Sequence, residues 1–334
     1  MKRRAILAML IAQCVVSVAF VELGYAADNS PASLAGDLRL VVESTTEPLV
    51  NLWVDDFKRL HPEMKLIVKS TSPVAAVPTV ASGAYDLGFP ARELWAYEEE
   101  MFKKVRGYAP TVVLVGLGAH KTAGLTPALG VFVHASNPIS RITLDQLDAI
   151  YSTARRRGLT KDIATWGDLA ESGEWASRPI HPYTHRLPNG IDYFIQKTVT
   201  RGADFKRSVI ELPMRQDELG PDEVTAAAIA RDPEGIGFAC LGNVIAGVKT
   251  IAVAETERGP SYAGTLEQVS SMRYPLARPI YFVLDRAPGQ PLAPKIREFM
   301  RYVLSARGQK AFAGSGGWLP LPPEVATEEL AKLE

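Results

Sequence analysis

Residues 38–42 form a short apolar-rich run. Just beyond it, Leu49, Leu52, Trp53, Phe57 and Leu60 recur at helical spacing until His61-Pro62 stops them. The same strand-then-helix alternation repeats along the chain. Residues 65–68 read as a second strand, a helix of small residues ends at Gly83, and residues 85–89 read as a third strand. Residues 111–117, 130–134 and 279–284 are further β-rich apolar runs. Helices are predicted from a Thr143 cap onward and over 295–304 and 324–333. Such alternation predicts an α/β architecture with largely parallel sheets.

The N-terminus predicts export. Lys2, Arg3 and Arg4 precede an apolar run over 5–20, with small residues at Gly24 and Ala26. This is the pattern of a signal peptide cleaved after Ala26, and the run is shorter than the ~20 residues that span a bilayer. Cys14 lies inside that segment and follows Gln13, where a lipoprotein signal wants a small residue. The mature chain then holds Cys240 alone, so no internal disulfide forms, and a chain this long builds its core without one. The formal net charge is zero, which argues against nucleic acid as a partner.

Two junctions carry more hydroxyls than capping needs. Ser44, Thr45 and Thr46 follow the first strand, and Ser70, Thr71 and Ser72 follow the second. A helix start uses one capping hydroxyl. The carboxyl ends of strands in open α/β sheets are where ligands bind, and helix N-termini hold anions.

Here the chain resembles the PstS-type phosphate-binding proteins, the solute receptors of phosphate ABC transporters. V-E-S-T-T-E-P-L-V-N-L-W, beginning at Val42, is similar to their first binding loop, usually Gly-Ser-Thr-Thr. In the same order follow S-G-A-Y-D-L-G-F-P-A-R from Ser82, A-S-N-P-I-S-R-I-T-L-D-Q-L-D-A-I-Y-S from Ala135 and A-T-W-G-D-L from Ala164. D-P-E-G-I-G-F-A-C-L-G from Asp232, Y-P-L-A-R-P-I-Y-F-V-L from Tyr274 and V-L-S-A-R-G-Q from Val303, then G-W-L-P-L, complete the series.

The resemblance implies a type II periplasmic-binding fold of two lobes that close on a ligand by a hinge. The lobes are expected at 27–126 and 127–272, with 273–334 returning to the first. It implies binding of phosphate or a related small oxyanion by Thr45, Thr46, Ser70, Thr71, Arg92, Arg186, Asn189 and Gly190. It further implies delivery to ABC-transporter membrane subunits by a monomer in the periplasm or outside the cell. No cofactor or metal is expected.

The binding positions depart from the family where the scaffold does not. Glu43 and Lys69 stand where the family has glycine, Ala91 replaces a serine, and Asn189 and Ile191 replace hydroxyl residues. Losing three charged hydrogen bonds costs roughly 4.5–9 kcal/mol, about three to six powers of ten in affinity, before any recovery through Asn189 or Lys69. A sensing or scaffold protein that has kept the fold but weakened its ligand is the alternative reading. A phosphate-ester hydrolase is a third. It finds no support in motifs, because no G-x-S-x-G, H-E-x-x-H or G-x-x-x-x-G-K-[ST] occurs. His181 and His185 have the spacing of helical metal ligands, but Pro182 and Pro188 predict an extended segment there.

Overall fold

The computed structural model describes Leu34, residues 36–170 and residues 172–334. The signal segment and Cys14 lie outside the described residues. The chain opens with β1 (Asp37–Glu43), α1 (Glu47–Leu60), β2 (Lys65–Thr71), α2 (Ala76–Ala81), β3 (Leu87–Phe89), α3 (Ala96–Arg106) and β4 (Thr111–Leu117). It continues through β5 (Leu129–His134), β6 (Arg141–Thr143), α4 (Leu144–Tyr151), β7 (His181–His185), α5 (Gly190–Thr198), β8 (Ile210–Leu212) and α6 (Pro221–Ile229). After these come β9 (Gly235–Cys240), β10 (Val248–Ala254), β11 (Ser261–Tyr262) and α7 (Leu266–Ser270). Finally β12 (Pro279–Leu284), α8 (Pro294–Leu304), α9 (Ala306–Gln309) and α10 (Pro323–Ala331) return to the first sheet.

Among the described residues there are two sheets. One has the order β2-β1-β3-β12-β4. The other runs β11-β10-β5-β9-β7-β8, with β6 beside β10. Both are mixed rather than mostly parallel. β1 pairs parallel with β2 and β3, whereas β12 runs antiparallel to β3 and β4. β5 is antiparallel to β9 and β10, while β7 is parallel to β8 and β9. The strands that enter each sheet from the other, β5 and β12, run opposite to the neighbours they pair with, whereas β4, which leaves the first sheet, runs in the direction of β1, β2 and β3. His181–His185 is the extended strand β7, as the prolines require.

Helix α1 shows why these segments fold as they do. Pro48 is tolerated in the first turn, Glu47 complements the helix start, and Lys58 and Arg59 complement its end. Its inward face buries Leu49, Val50, Trp53, Val54 and Phe57. The Trp53 ring packs against Phe89, Phe282 and Phe312, and its Nε1–H donates to the Gly308 carbonyl at 2.8 Å. Each such side chain stabilises the fold by about 1.5–3 kcal/mol through burial. A separate core under the second sheet is built on Tyr151, Trp166, Ile195 and Phe238.

The two crossings hold one another. Gly118 N–H donates to Arg278 O at 2.8 Å, and Leu129 N–H donates to Leu276 O at 3.1 Å. The Tyr274 hydroxyl donates to Leu129 O at 2.7 Å. Gly118 is glycine for a steric reason: a Cβ there would lie 1.8 Å from the Thr126 carbonyl oxygen.

Candidate functional site

The loops following β1, β2 and β3 lie side by side, because the parallel register pairs Glu43 with Thr71 and Val42 with both Ser70 and Phe89. Both hydroxyl clusters therefore meet at one sheet edge. Ser44–Thr46 forms a short 3-10 turn leading into α1. Glu43 caps that turn: its carboxylate accepts from Thr45 N–H at 2.8 Å, from Ser44 Oγ at 3.0 Å and from Thr45 Oγ1. The buried Thr46 hydroxyl donates to Glu43 O at 2.7 Å. A carboxylate thus already takes the Thr45 donors assigned to an oxyanion, and the backbone carbonyl of Glu43 takes the Thr46 hydroxyl. Ser70 and Thr71 are half-buried with no side-chain hydrogen bond to a described residue, and Lys69 beside them is exposed.

Arg92 follows β3 and is buried. Its Nη1 and Nη2 donate to the two carboxylate oxygens of Glu98 at 2.9 and 2.7 Å, and Nη1 also donates to Glu93 O at 2.8 Å. Glu98 in turn accepts from Trp95 N–H at 2.9 Å, and the guanidinium lies 3.6 Å from the Trp95 ring centroid. Arg92 is therefore committed to building the start of α3. Ala91 before it adopts φ +57°, and its carbonyl accepts from Thr126 Oγ1 at 2.8 Å.

In the second sheet, β7 ends in the loop Arg186–Asn189, which contains a cis Leu187–Pro188 bond and leads into α5. Asn189 is the N-cap, accepting from Asp192 N–H at 2.9 Å and donating to Arg186 O at 3.1 Å. The Arg186 side chain is exposed and pairs with no described residue. Asp192 is buried, takes the Thr184 hydroxyl and the His185 N–H, and burial pushes its carboxyl above the usual carboxylate range. Asp222 at the start of α6 is raised by burial as well, although it accepts from Cys240 N–H at 2.6 Å.

The seam between the sheets contains residues that sequence reasoning missed. The Trp95 ring stacks on Tyr193 of α5 with centroids 4.6 Å apart. Lys197 Nζ donates to Leu94 O at 3.3 Å and lies 3.7 Å from Glu99. Arg278 Nη2 donates to Gly190 O at 3.2 Å and sits 3.4 Å from Glu93 Oε1. Arg278 and Glu93 are only 5% and 4% exposed. A charged residue inside the apolar stretch Y-P-L-A-R-P-I-Y was the available signal, since buried charges need partners.

A metal reading at His181 and His185 fails on geometry. Four residues of strand separate them by about 13 Å. His181 Nδ1 instead pairs with Asp232 at 2.9 Å, where the Tyr183 hydroxyl also donates, and the nearby Glu234 faces Arg178.

Residues 27–307 match the family model described as the PBP superfamily domain. The phosphate-binding protein PstS of Pseudomonas aeruginosa is 31% identical over 303 residues, covering 90% of this chain and 88% of that protein. The SphX protein of Synechococcus elongatus is 22% identical over 293 residues, covering 85% and 77%. Among solved structures, PstS from Borrelia burgdorferi superposes with a TM-score of 0.54 at 15% identity, covering 86% of this chain and 99% of that one. An ABC-type phosphate transport receptor from Vibrio cholerae superposes with a TM-score of 0.53 at 16% identity, covering 85% and 100%. At such identities the two structures speak for the fold.

Proposed function

The chain belongs to the PBP superfamily and is a relative of the PstS phosphate-binding proteins, and on that footing we propose that it is an exported solute-binding protein for phosphate or a related small oxyanion. It acts in the periplasm or outside the cell after cleavage near Ala26, as a monomer that hands its ligand to the membrane subunits of an ABC transporter. Residues 27–126 with 273–334 form one lobe and 127–272 the other, and the ligand lies between them.

One observation carries this reading. The two hydroxyl-bearing loops stand side by side at the carboxyl ends of β1 and β2, and the N-terminus of α5 is joined to the neighbouring β3 loop through Arg278 and Glu93. Ser70, Thr71 and Gly190 supply open donors, Thr45 supplies its own once Glu43 is displaced, and Thr46 holds the turn through its bond to Glu43 O. Arg186 and Lys69 supply free positive charge, and Arg92 and Asn189 shape the loops that present them. A sensing or scaffold role draws its support from Glu43, which fills part of the anion position with a carboxylate.

Calorimetric titration of the mature chain with phosphate tests the proposal. Saturable binding at micromolar strength or tighter is expected. Absence of both heat and thermal stabilisation would sink it. Phosphate-ester turnover, assayed with and without metal ions, separates the hydrolase reading from both binding readings.

A further inference from the structure

Arg278 is supplied by the segment that returns from the second sheet to the first, immediately before β12. Its backbone carbonyl ties it to the other crossing through Gly118 N–H. Its side chain is 95% removed from solvent yet poorly satisfied. A guanidinium carries five N–H donors. Here Nη2 meets Gly190 O at 3.2 Å and Glu93 Oε1 at 3.4 Å, while Nε is buried without a partner and Nη1 has none among the described residues. Its Cζ lies 5.1 Å from the Phe194 ring centroid on α5. Leaving such donors unmade costs free energy comparable to a lost hydrogen bond each.

The guanidinium is also aimed at a place suited to an anion. Nη2 comes within 3.8 Å of where a Cβ would stand on Gly190, the first residue of the nine-residue helix α5. Asn189 caps Asp192 N–H, and the N–H groups of Gly190 and Ile191 have no intrahelical acceptor. A helix N-terminus and an under-used buried arginine therefore converge on one spot at the seam. The carboxylates that face Arg278 are Glu93 and, at longer range, Asp222.

We infer that Arg278 is a direct contact of the bound oxyanion, donating through its unpartnered Nη1 N–H groups beside the N-terminus of α5. Glu93 and Gly190 O hold its plane and tie the β3 loop to α5 around the ligand. Glu93 is a positioning residue in this arrangement. The inference rests on the oxyanion reading above and adds to it a binding residue from the return segment, outside both hydroxyl loops.

The test is phosphate titration and thermal unfolding of the mature parent chain, Arg278→Gln, Arg278→Lys and Glu93→Gln. Arg278→Gln should weaken phosphate by roughly ten- to a hundredfold and lose most of the phosphate-induced rise in Tm. Arg278→Lys keeps the charge without the fork, so its loss should be intermediate, and it serves as the readout if the glutamine variant fails to fold. Glu93→Gln should weaken binding by a few fold, about the effect of a misdirected rather than a missing donor. A folded Arg278→Gln that binds phosphate within about twofold of the parent overturns the inference. So does a pair of Arg278 variants that lose ligand-free stability while keeping parent affinity. If the parent itself binds neither phosphate nor another oxyanion, the functional reading falls first, visibly in the parent titration, and this inference falls with it.

Discussion

The carboxylate of Glu43 accepts the backbone N–H of Thr45 at 2.8 Å, so the first loop carries its own anion at the start of α1. The same carboxylate lies against the hydroxyls of Ser44 and Thr45. An incoming oxyanion must displace Glu43 or share its donors.

Glu43→Gly is therefore expected to separate affinity from stability. Freeing one charged hydrogen-bond position should tighten phosphate binding by about tenfold or more. Losing the cap should cost only about a few tenths of a kcal/mol of folding stability, because glycine is itself a tolerated N-cap. Calorimetry and urea unfolding read the two effects separately, and unchanged affinity would show that Glu43 guards nothing.

Arg92 should behave as a structural residue when removed. Arg92→Ala leaves Glu98 buried without its partner, a defect of about 3–5 kcal/mol. Urea unfolding should show this loss in full. Glu98→Gln should also destabilise, although it leaves Arg92 in place, and a stable Arg92→Ala with weakened phosphate binding would reverse the assignment.

The Trp95–Tyr193 stack joins α3 of one sheet to α5 of the other. Such a pair is worth about 0.5–1.5 kcal/mol beyond area. Tyr193→Ala should weaken phosphate binding by up to about tenfold through loss of seam contacts. Tryptophan fluorescence of the parent should change on titration with phosphate, and this change should shrink in the variant. An identical response in both would place lobe closure elsewhere.

Acid stability should depend on Asp56. Hydrogen bonds from Arg307 at 2.6 and 2.9 Å, with Tyr302 and Arg59, hold its carboxyl well below the usual carboxylate range. Because the folded-state pKa is depressed, the unfolded chain binds the proton first. The stabilisation is complete above the ordinary value of about 3.9 and is lost as pH falls through and below it. Asp56→Asn should lower stability at pH 7 more than at pH 3. An equal loss at both pH values in urea unfolding would refute the linkage.

Much of the frame was legible in the sequence because it is written in local periodicity. The apolar stripe of α1, the Thr143–Gln146 capping box of α4 and the β12 run each declare themselves within a few residues. Strand direction did not, since a β-rich run looks the same whether its neighbour is parallel or antiparallel. Two hydroxyl loops were visible for the same local reason. The use of their donors by Glu43 was not, because capping and ligand binding draw on identical residue types.

The sequence by itself determined the α/β class, the family, and most elements before residue 151 and after 278, all carried by short-range pattern and motif order, whereas α3 and the elements from β7 to α7 were not read from it. Only the tertiary structure decided that Arg92 belongs to Glu98, that Trp95 meets Tyr193 across the seam, and that Arg278 reaches Gly190 and Glu93. The last pair of contacts spans 88 and 185 residues of chain. Partners so distant leave no periodic trace, and a buried charge reveals its role only through the groups that surround it in space.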